Sequence, residues 1–170
     1  MPPKSCSWTM TTGSRRPLKA LALLSLSLIL TACAPRGGGL PADALDDGIA
    51  RAIGDPATCV VISEKATGKI LYRYNTYSAC ARALPACDRP GTLTLEDSLK
   101  LAQDQPRTTS CASLPDNSRA VSWAAGPVPG PRGLAYAAYM EGTRNLPGMV
   151  IRDKLEALFA RLGLDKPKAD

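Results

Sequence analysis

The sequence contains no histidine among its 170 residues. Histidine is the usual general base near neutral pH and the commonest metal ligand in proteins. Its absence therefore excludes every His-dependent catalytic triad and most transition-metal sites. There is also no Cys-x-x-Cys pair, which argues against a thioredoxin-like redox motif and a zinc ribbon. We accordingly expect no metal site and no cofactor.

Acidic residues are missing from the first 32 positions, and this uneven distribution explains most of the net charge of +6. Residues 1–32 carry four Lys or Arg, whereas the remaining 138 residues carry 17 Lys or Arg and 15 Asp or Glu. The excess positive charge belongs to the N-terminal segment, so no nucleic-acid partner is expected. Hydrophobic residues at 45% and charged residues at 21% are typical of one globular domain.

The N-terminal segment has the organisation of a secretory signal peptide. A basic stretch at 15–19 precedes a short apolar run from Ala20 to Leu30, which is too short to span a bilayer. The next residues, Leu30-Thr31-Ala32-Cys33, resemble the lipobox of bacterial lipoproteins. That resemblance implies cleavage before Cys33, a diacylglycerol on its sulfur and acylation of the new amino terminus. The alternative is an ordinary signal peptide with a coincidental cysteine.

The residues after Cys33 predict where the protein resides. Ala34 follows the cysteine, not the aspartate that typically retains lipoproteins in the inner membrane. By resemblance we expect the outer membrane, facing the periplasm, with the lipid bilayer as a partner through acylated Cys33. Residues 34–42 have the composition of a Gly/Pro tether. The predicted organisation is a signal peptide at 1–32, the lipidated cysteine and tether at 33–42, one α+β domain at 43–164 and a polar tail at 165–170.

Hydrophobic periodicity predicts a mixed order of elements. Four-residue spacing and flanking helix signals indicate three helices, and short alternating or β-branched runs indicate five strands. The region 75–93 has many turn-prone residues and is predicted to be irregular. In chain order, the prediction is a helix at Asp43–Ile53, strands at Thr58–Ser63 and Lys69–Tyr74, a helix from a Thr94 cap to about Gln103, strands at Thr108–Cys111, Ala120–Ala125 and Leu134–Met140, and a helix that Pro147 opens and Gly163 ends.

This order resembles the α/β half of serine β-lactamases and penicillin-binding transpeptidases. The stretch Cys59–Arg73 is similar to the first hairpin of that family, Arg119–Gly126 (RAVSWAAG) to its fourth strand, and Leu134–Gly148 to its fifth strand and the start of its last helix. The resemblance implies an antiparallel sheet of about five strands flanked by the N- and C-terminal helices. The all-helical subdomain of the family is lacking, because only residues 75–106 lie between the second and third strands.

The catalytic residues of that family do not carry over. The family needs Ser-x-x-Lys, and this motif is absent from the sequence after Cys33. The best-placed match puts Cys87 where the serine would lie and Pro90, which has no side-chain amine, where the lysine would lie. The best match to the Lys-Thr-Gly motif on the third strand of that family is Arg107-Thr108-Thr109. We therefore do not expect an enzyme.

Two functions remain open at this point. The favoured one is a non-catalytic, membrane-anchored lipoprotein with a binding or envelope-structural role, whose partner is an envelope protein or peptidoglycan. The alternative is a small hydrolase or peptidoglycan-processing enzyme that uses Cys87 or Ser110 as its nucleophile. An oxidising compartment favours a disulfide over a reactive thiol at Cys87.

Four cysteines remain once Cys6 and Cys33 are set aside, and they allow three pairings. The resembled fold selects among them. Its first hairpin brings the end of the second strand back beside Cys59, close to Cys80. The position matched by Cys87 faces the start of the third strand, where Cys111 falls. The resemblance thus implies disulfides Cys59–Cys80 and Cys87–Cys111.

Large and charged side chains on the predicted strands and helices have ordinary structural interpretations. Trp123 and Tyr136 alternate with small residues, which is typical of core positions and not of a ligand stack. Arg73, Arg119 and Arg152 are expected to be solvated charges and not an anion site.

Overall fold

The computed structural model describes residues 39–167. The predicted signal peptide, Cys33 and most of the tether lie outside the described residues. Within residues 39–167, no helix is both long and apolar enough to cross a membrane. The elements in chain order are α1 (Ala42–Ile53), β1 (Cys59–Glu64), β2 (Ile70–Tyr74), α2 (Tyr77–Cys80), β3 (Leu84–Pro85), β4 (Thr92–Leu93), α3 (Leu95–Leu101), β5 (Arg107–Ala112), β6 (Ala120–Pro127), β7 (Leu134–Gly142) and α4 (Gly148–Arg161).

Five strands form one antiparallel sheet in the order β2-β1-β7-β6-β5. The central strand β7 is buried along its whole length, which explains why its sequence is a nearly continuous apolar run. β5 and β2 are the edge strands. The predicted fold class, an α+β domain with a five-stranded antiparallel sheet and helices from both ends of the chain, is confirmed.

The terminal helices cover one face of the sheet. Ile49 of α1 and Ile151, Leu155 and Phe159 of α4 are fully buried against this face, as their helical spacing predicted. The two helices pack closely at Gly48, where a Cβ would lie 2.4 Å from a methyl carbon of the Leu158 side chain. The helix predicted to end at Gly163 is slightly too long, because α4 ends at Arg161 and Leu162, the next residue, is only partly buried. Leu164 takes the last buried position instead.

The opposite face of the sheet is covered by α3 and by the segment that precedes it. Trp123 and Tyr139 lie edge to face on this side, with ring centroids 5.3 Å apart. The Trp123 indole N–H donates to the carbonyl of Pro85 at 2.9 Å, which satisfies its only polar atom. Trp123 is 2% exposed, and Tyr136, on the other face, is fully buried. Both residues are core residues, as predicted.

The region 75–93 is more regular than its sequence predicted. It contains the short helix α2 and the two-residue strands β3 and β4, which pair with each other. The Thr76 hydroxyl caps α2 by accepting from the amide of Ala79 at 3.2 Å. The predicted cap at Thr94 is also present, since its hydroxyl accepts from the amide of Asp97 at 3.1 Å. α3 ends at Leu101, two residues before the predicted end.

Two disulfides tie this region to the sheet. Cys59 of β1 is bonded to Cys80 of α2, with Cα atoms 5.5 Å apart. Cys87 is bonded to Cys111 of β5, with Cα atoms 5.3 Å apart. The expectation that the domain carries disulfides is confirmed, and these are the two pairs that the resemblance implied.

Candidate functional site

The position expected for a nucleophile is occupied by a half-buried disulfide cysteine. Cys87 lies in the turn formed by residues 86–91, which connects β3 to β4. The turn is closed by a hydrogen bond from the Ala86 amide to the Gly91 carbonyl at 3.2 Å. Because the sulfur of Cys87 is bonded to that of Cys111, it is not available as a thiolate in this state.

Asp88, the next residue of the turn, pairs with two arginines. Its carboxylate accepts from Arg89 at 3.0 Å and from Arg107 at 2.8 Å. The hydrogen bond from Arg89, joined by that from Arg107, outweighs the effect of burial and lowers the pKa of Asp88 to about 2. Arg107 therefore already has an internal carboxylate as its partner.

A very small cavity lies beneath the 86–91 turn. Its volume is about 20 Å³, which is room for about one water molecule. Small-molecule sites usually have volumes of about 300–1,000 Å³. In this closed arrangement the cavity cannot hold a substrate. Its walls come from the turn, from α3 and from the sheet. The lining residues from the turn and the sheet include Ala86, Asp88, Arg89, Arg107, Thr109 and Trp123.

Ser110, the second candidate nucleophile, lies on the face of β5 that meets α4. Its hydroxyl oxygen accepts from the amide of Gly148 at 3.0 Å and from the hydroxyl of Ser122 at 2.8 Å. Ser122 in turn accepts from the side-chain amide of Asn145 at 2.8 Å. None of these partners is a titratable base. Since Pro147 provides no side-chain cap, Ser110 instead satisfies the first free N–H of α4, which is a structural role.

A buried charge cluster lies near the end of β7, and the sequence analysis missed it. Glu141 is 3% exposed, and Arg119 donates to its two carboxylate oxygens at 2.6 and 2.8 Å. Arg82 donates at 3.3 Å and the Ser113 hydroxyl at 2.9 Å. The hydrogen bonds from Arg119 first, and then from Ser113, lower the pKa of Glu141 to about 2 despite its burial.

The prediction that Arg119 is a solvated charge is confirmed only in part, because its side chain is 39% exposed but also pairs with the buried carboxylate of Glu141. A bidentate pair with a buried carboxylate is among the strongest ionic contacts in proteins. The signal that could have found it is Glu141 itself, because a carboxylate in an otherwise apolar strand needs a partner. Arg152 pairs only with the exposed Asp153, as expected of a surface charge. Arg73 stacks over the Tyr77 ring at 5.2 Å.

Two larger cavities are open surface grooves. One of about 420 Å³ follows the connection from α3 to β5, and its walls include Lys100, Leu101 and Arg107. A second, of about 180 Å³, lies beside α2. Within the described residues, no group of three or more His, Cys, Asp or Glu side chains is placed to hold a metal ion.

Comparisons of this chain with protein-family models, with curated proteins and with solved structures find no match. A function therefore has to be inferred from the residues and contacts described above. The contacts of Cys87, Asp88 and Ser110 bear most directly on the function. Cys87 and Ser110 are the two candidate nucleophiles, and Asp88 is next to Cys87.

Proposed function

We propose that this protein is a lipid-anchored envelope lipoprotein whose domain is β-lactamase-like and non-catalytic, with a binding or envelope-structural role. The observation that carries the proposal is the state of the two candidate nucleophiles. Cys87 is bonded to Cys111, and the Ser110 hydroxyl is engaged by Gly148 and Ser122. Neither has a base among its contacts, so neither has the activated form that nucleophilic catalysis requires.

A binding role is supported by the surface around β5. This edge strand is only partly buried, and the groove of about 420 Å³ lies at its start. Edge strands offer unpaired backbone groups, and an extended segment of a partner can bind to them. The proposed partner is an envelope protein or peptidoglycan.

Anchoring at Cys33 is supported by the lipobox and by the composition of residues 34–42. Several acyl chains on one cysteine hold a protein stably at a bilayer, whereas one chain holds it weakly. The folded part begins within the last residues of this segment, since Leu40 is buried in the core and α1 begins at Ala42. The proposed location is the outer membrane, with the domain in the periplasm.

The anchor is tested by Cys33→Ser, because only a thiol accepts the diacylglycerol. The wild-type protein is expected in the membrane fraction, with an N-terminal peptide that begins at residue 33 and carries the mass of the lipid. The variant is expected to lose that mass and to leave the membrane. Cys6→Ser serves as the matched control, because Cys6 lies outside the lipobox. A Cys33→Ser variant that still carries the lipid mass would show that the lipobox interpretation is wrong.

The absence of catalysis is tested with a labelled penicillin on the same purified protein. We expect no covalent adduct, because no serine–lysine pair is available to form the acyl-enzyme. A stoichiometric adduct on Ser110, or on any residue from 80 to 111, would favour the hydrolase instead.

A further inference from the structure

The two disulfides lie in very different surroundings. Cys59 and Cys80 are 0% and 2% exposed and belong to the core beneath α2. Cys87 and Cys111 are both half-buried, and Cys111 lies on the edge strand β5. A reductant can reach a buried disulfide only after local unfolding, whereas a half-buried one at a sheet edge is open to direct attack.

Besides the disulfide, two polar contacts hold the 86–91 turn and the residue before it against the sheet. One is the hydrogen bond from the Trp123 indole N–H to the carbonyl of Pro85 at 2.9 Å. In the other, Asp88 pairs with Arg107 at 2.8 Å, but the Arg107 side chain is 47% exposed, so solvent weakens this ion pair. Residues 88–91 are exposed. Cys87 itself has a left-handed backbone, with φ of 66°, which is unfavourable for a residue other than glycine. The disulfide is thus the covalent restraint on a turn that is otherwise held by its own Ala86–Gly91 hydrogen bond and by these polar contacts.

We propose that the Cys87–Cys111 disulfide is a reducible latch, which a dithiol reductant opens while Cys59–Cys80 stays oxidised. One thiolate of the reductant attacks the Sγ of Cys87 or Cys111, and the S–S bond breaks. The other sulfur leaves as a thiolate and takes up a proton. The second thiol of the reductant then attacks the mixed disulfide, which leaves two cysteine thiols on the protein and a disulfide on the reductant. Two electrons pass to the protein.

Opening the latch changes the surface next to β5. Ala86, Asp88 and Arg89 of the turn line the 20 Å³ cavity together with Trp123 and Thr109 of the sheet. When the turn moves away, this cavity opens to solvent and Arg107 loses its internal carboxylate. The latch therefore controls access to Trp123 and to the start of β5. This inference does not depend on the lipid anchor.

The test uses the full chain with Trp8→Phe. The sequence has two tryptophans, so this substitution leaves Trp123 as the single source of tryptophan emission. The folded protein is titrated with dithiothreitol without denaturant, quenched with iodoacetamide and mapped by mass spectrometry. We expect alkylation of Cys87 and Cys111 at reductant concentrations on the order of tenfold lower than for Cys59 and Cys80. Trp123 emission is expected to shift to longer wavelength in step with that alkylation, because the indole meets water.

The Cys87→Ser/Cys111→Ser double variant provides the matched control. Its Trp123 emission should already be shifted without reductant, and dithiothreitol in the same concentration range should change it no further. Equal reduction of the two disulfides, or earlier reduction of Cys59–Cys80, would overturn the proposal. The peptide map of the protein with both disulfides is sufficient to decide between these outcomes. Unchanged Trp123 emission after Cys87 and Cys111 are alkylated would overturn the opening of the turn.

Discussion

The Glu141 cluster yields the sharpest prediction about stability. Replacement of the buried carboxylate by an amide, Glu141→Gln, keeps the shape of the side chain but removes its charge. Arg119 and Arg82 then lose the negative charge that they share, and an amide nitrogen replaces one of the two acceptor oxygens and faces their donors. Breaking a buried pair from one side is costly, because the remaining groups cannot all be satisfied.

The magnitude follows from the pKa of Glu141. A fall from 4.5 to about 2 stabilises the charged form, and hence the folded state at neutral pH, by about 3 kcal/mol. The Arg119 and Arg82 side chains are 39% and 45% exposed, so water screens part of this interaction. We expect Glu141→Gln to lower the free energy of unfolding by about 2 kcal/mol at pH 7.

The same cluster predicts a pH dependence. Because the folded-state pKa of Glu141 is lower than the unfolded one, its stabilisation is fully present above pH 4.5 and is lost as the pH falls towards about 2. Urea unfolding measured from pH 7 to pH 2 should show this loss in the wild type and a flatter profile in Glu141→Gln.

Glu96→Gln is the matched control, because Glu96 is half exposed and lies 3.7 Å from Arg73. We expect it to cost about 0.5 kcal/mol. Equal effects of the two substitutions, or an unchanged acid profile, would refute the reasoning.

Four further predictions concern the stability of the domain. Gly148→Ala should lower the free energy of unfolding by about 3 kcal/mol, because its Cβ would lie 2.3 Å from the carbonyl oxygen of Trp123. Gly163→Ala has open space and only an unfavourable φ of 70°, so thermal unfolding should show a smaller loss of about 1 kcal/mol. Ser110→Ala should cost about 1–2 kcal/mol in urea unfolding, since it leaves an N–H of α4 without its acceptor; no loss would contradict the structural role. Replacing the Cys59–Cys80 disulfide by two alanines should cost about 3 kcal/mol, and a midpoint unchanged in the same assay would contradict this.

Local signals in the sequence were sufficient for the main elements. The spacing of Ile151, Leu155 and Phe159 after Pro147 predicted α4, and the Thr94 cap predicted α3, because both depend on residues within a few positions of each other. The core role of Trp123 followed from alternation along one strand. These patterns were enough for the α+β class and the number of strands in the sheet.

The features that were missed depend on contacts between distant residues. Arg119 and Glu141 are 22 positions apart, and only the pairing of β6 with β7 brings them together. The same holds for Asp88 and Arg107, 19 positions apart. Strands of two residues, such as β3 and β4, are too short to show any periodicity. The candidate cysteines could therefore be predicted from the sequence, whereas the ion pairs Arg119–Glu141 and Asp88–Arg107 could not.

The central claim is that a lipid-anchored domain without a catalytic nucleophile works by binding. The measurement that tests it most directly is the intact mass of the protein extracted from membranes after exposure to a labelled penicillin. We expect a chain that begins at an acylated Cys33, lacks the four hydrogens of two disulfides and carries no penicillin. A chain without lipid, or one whose mass has increased by one penicillin, would contradict it.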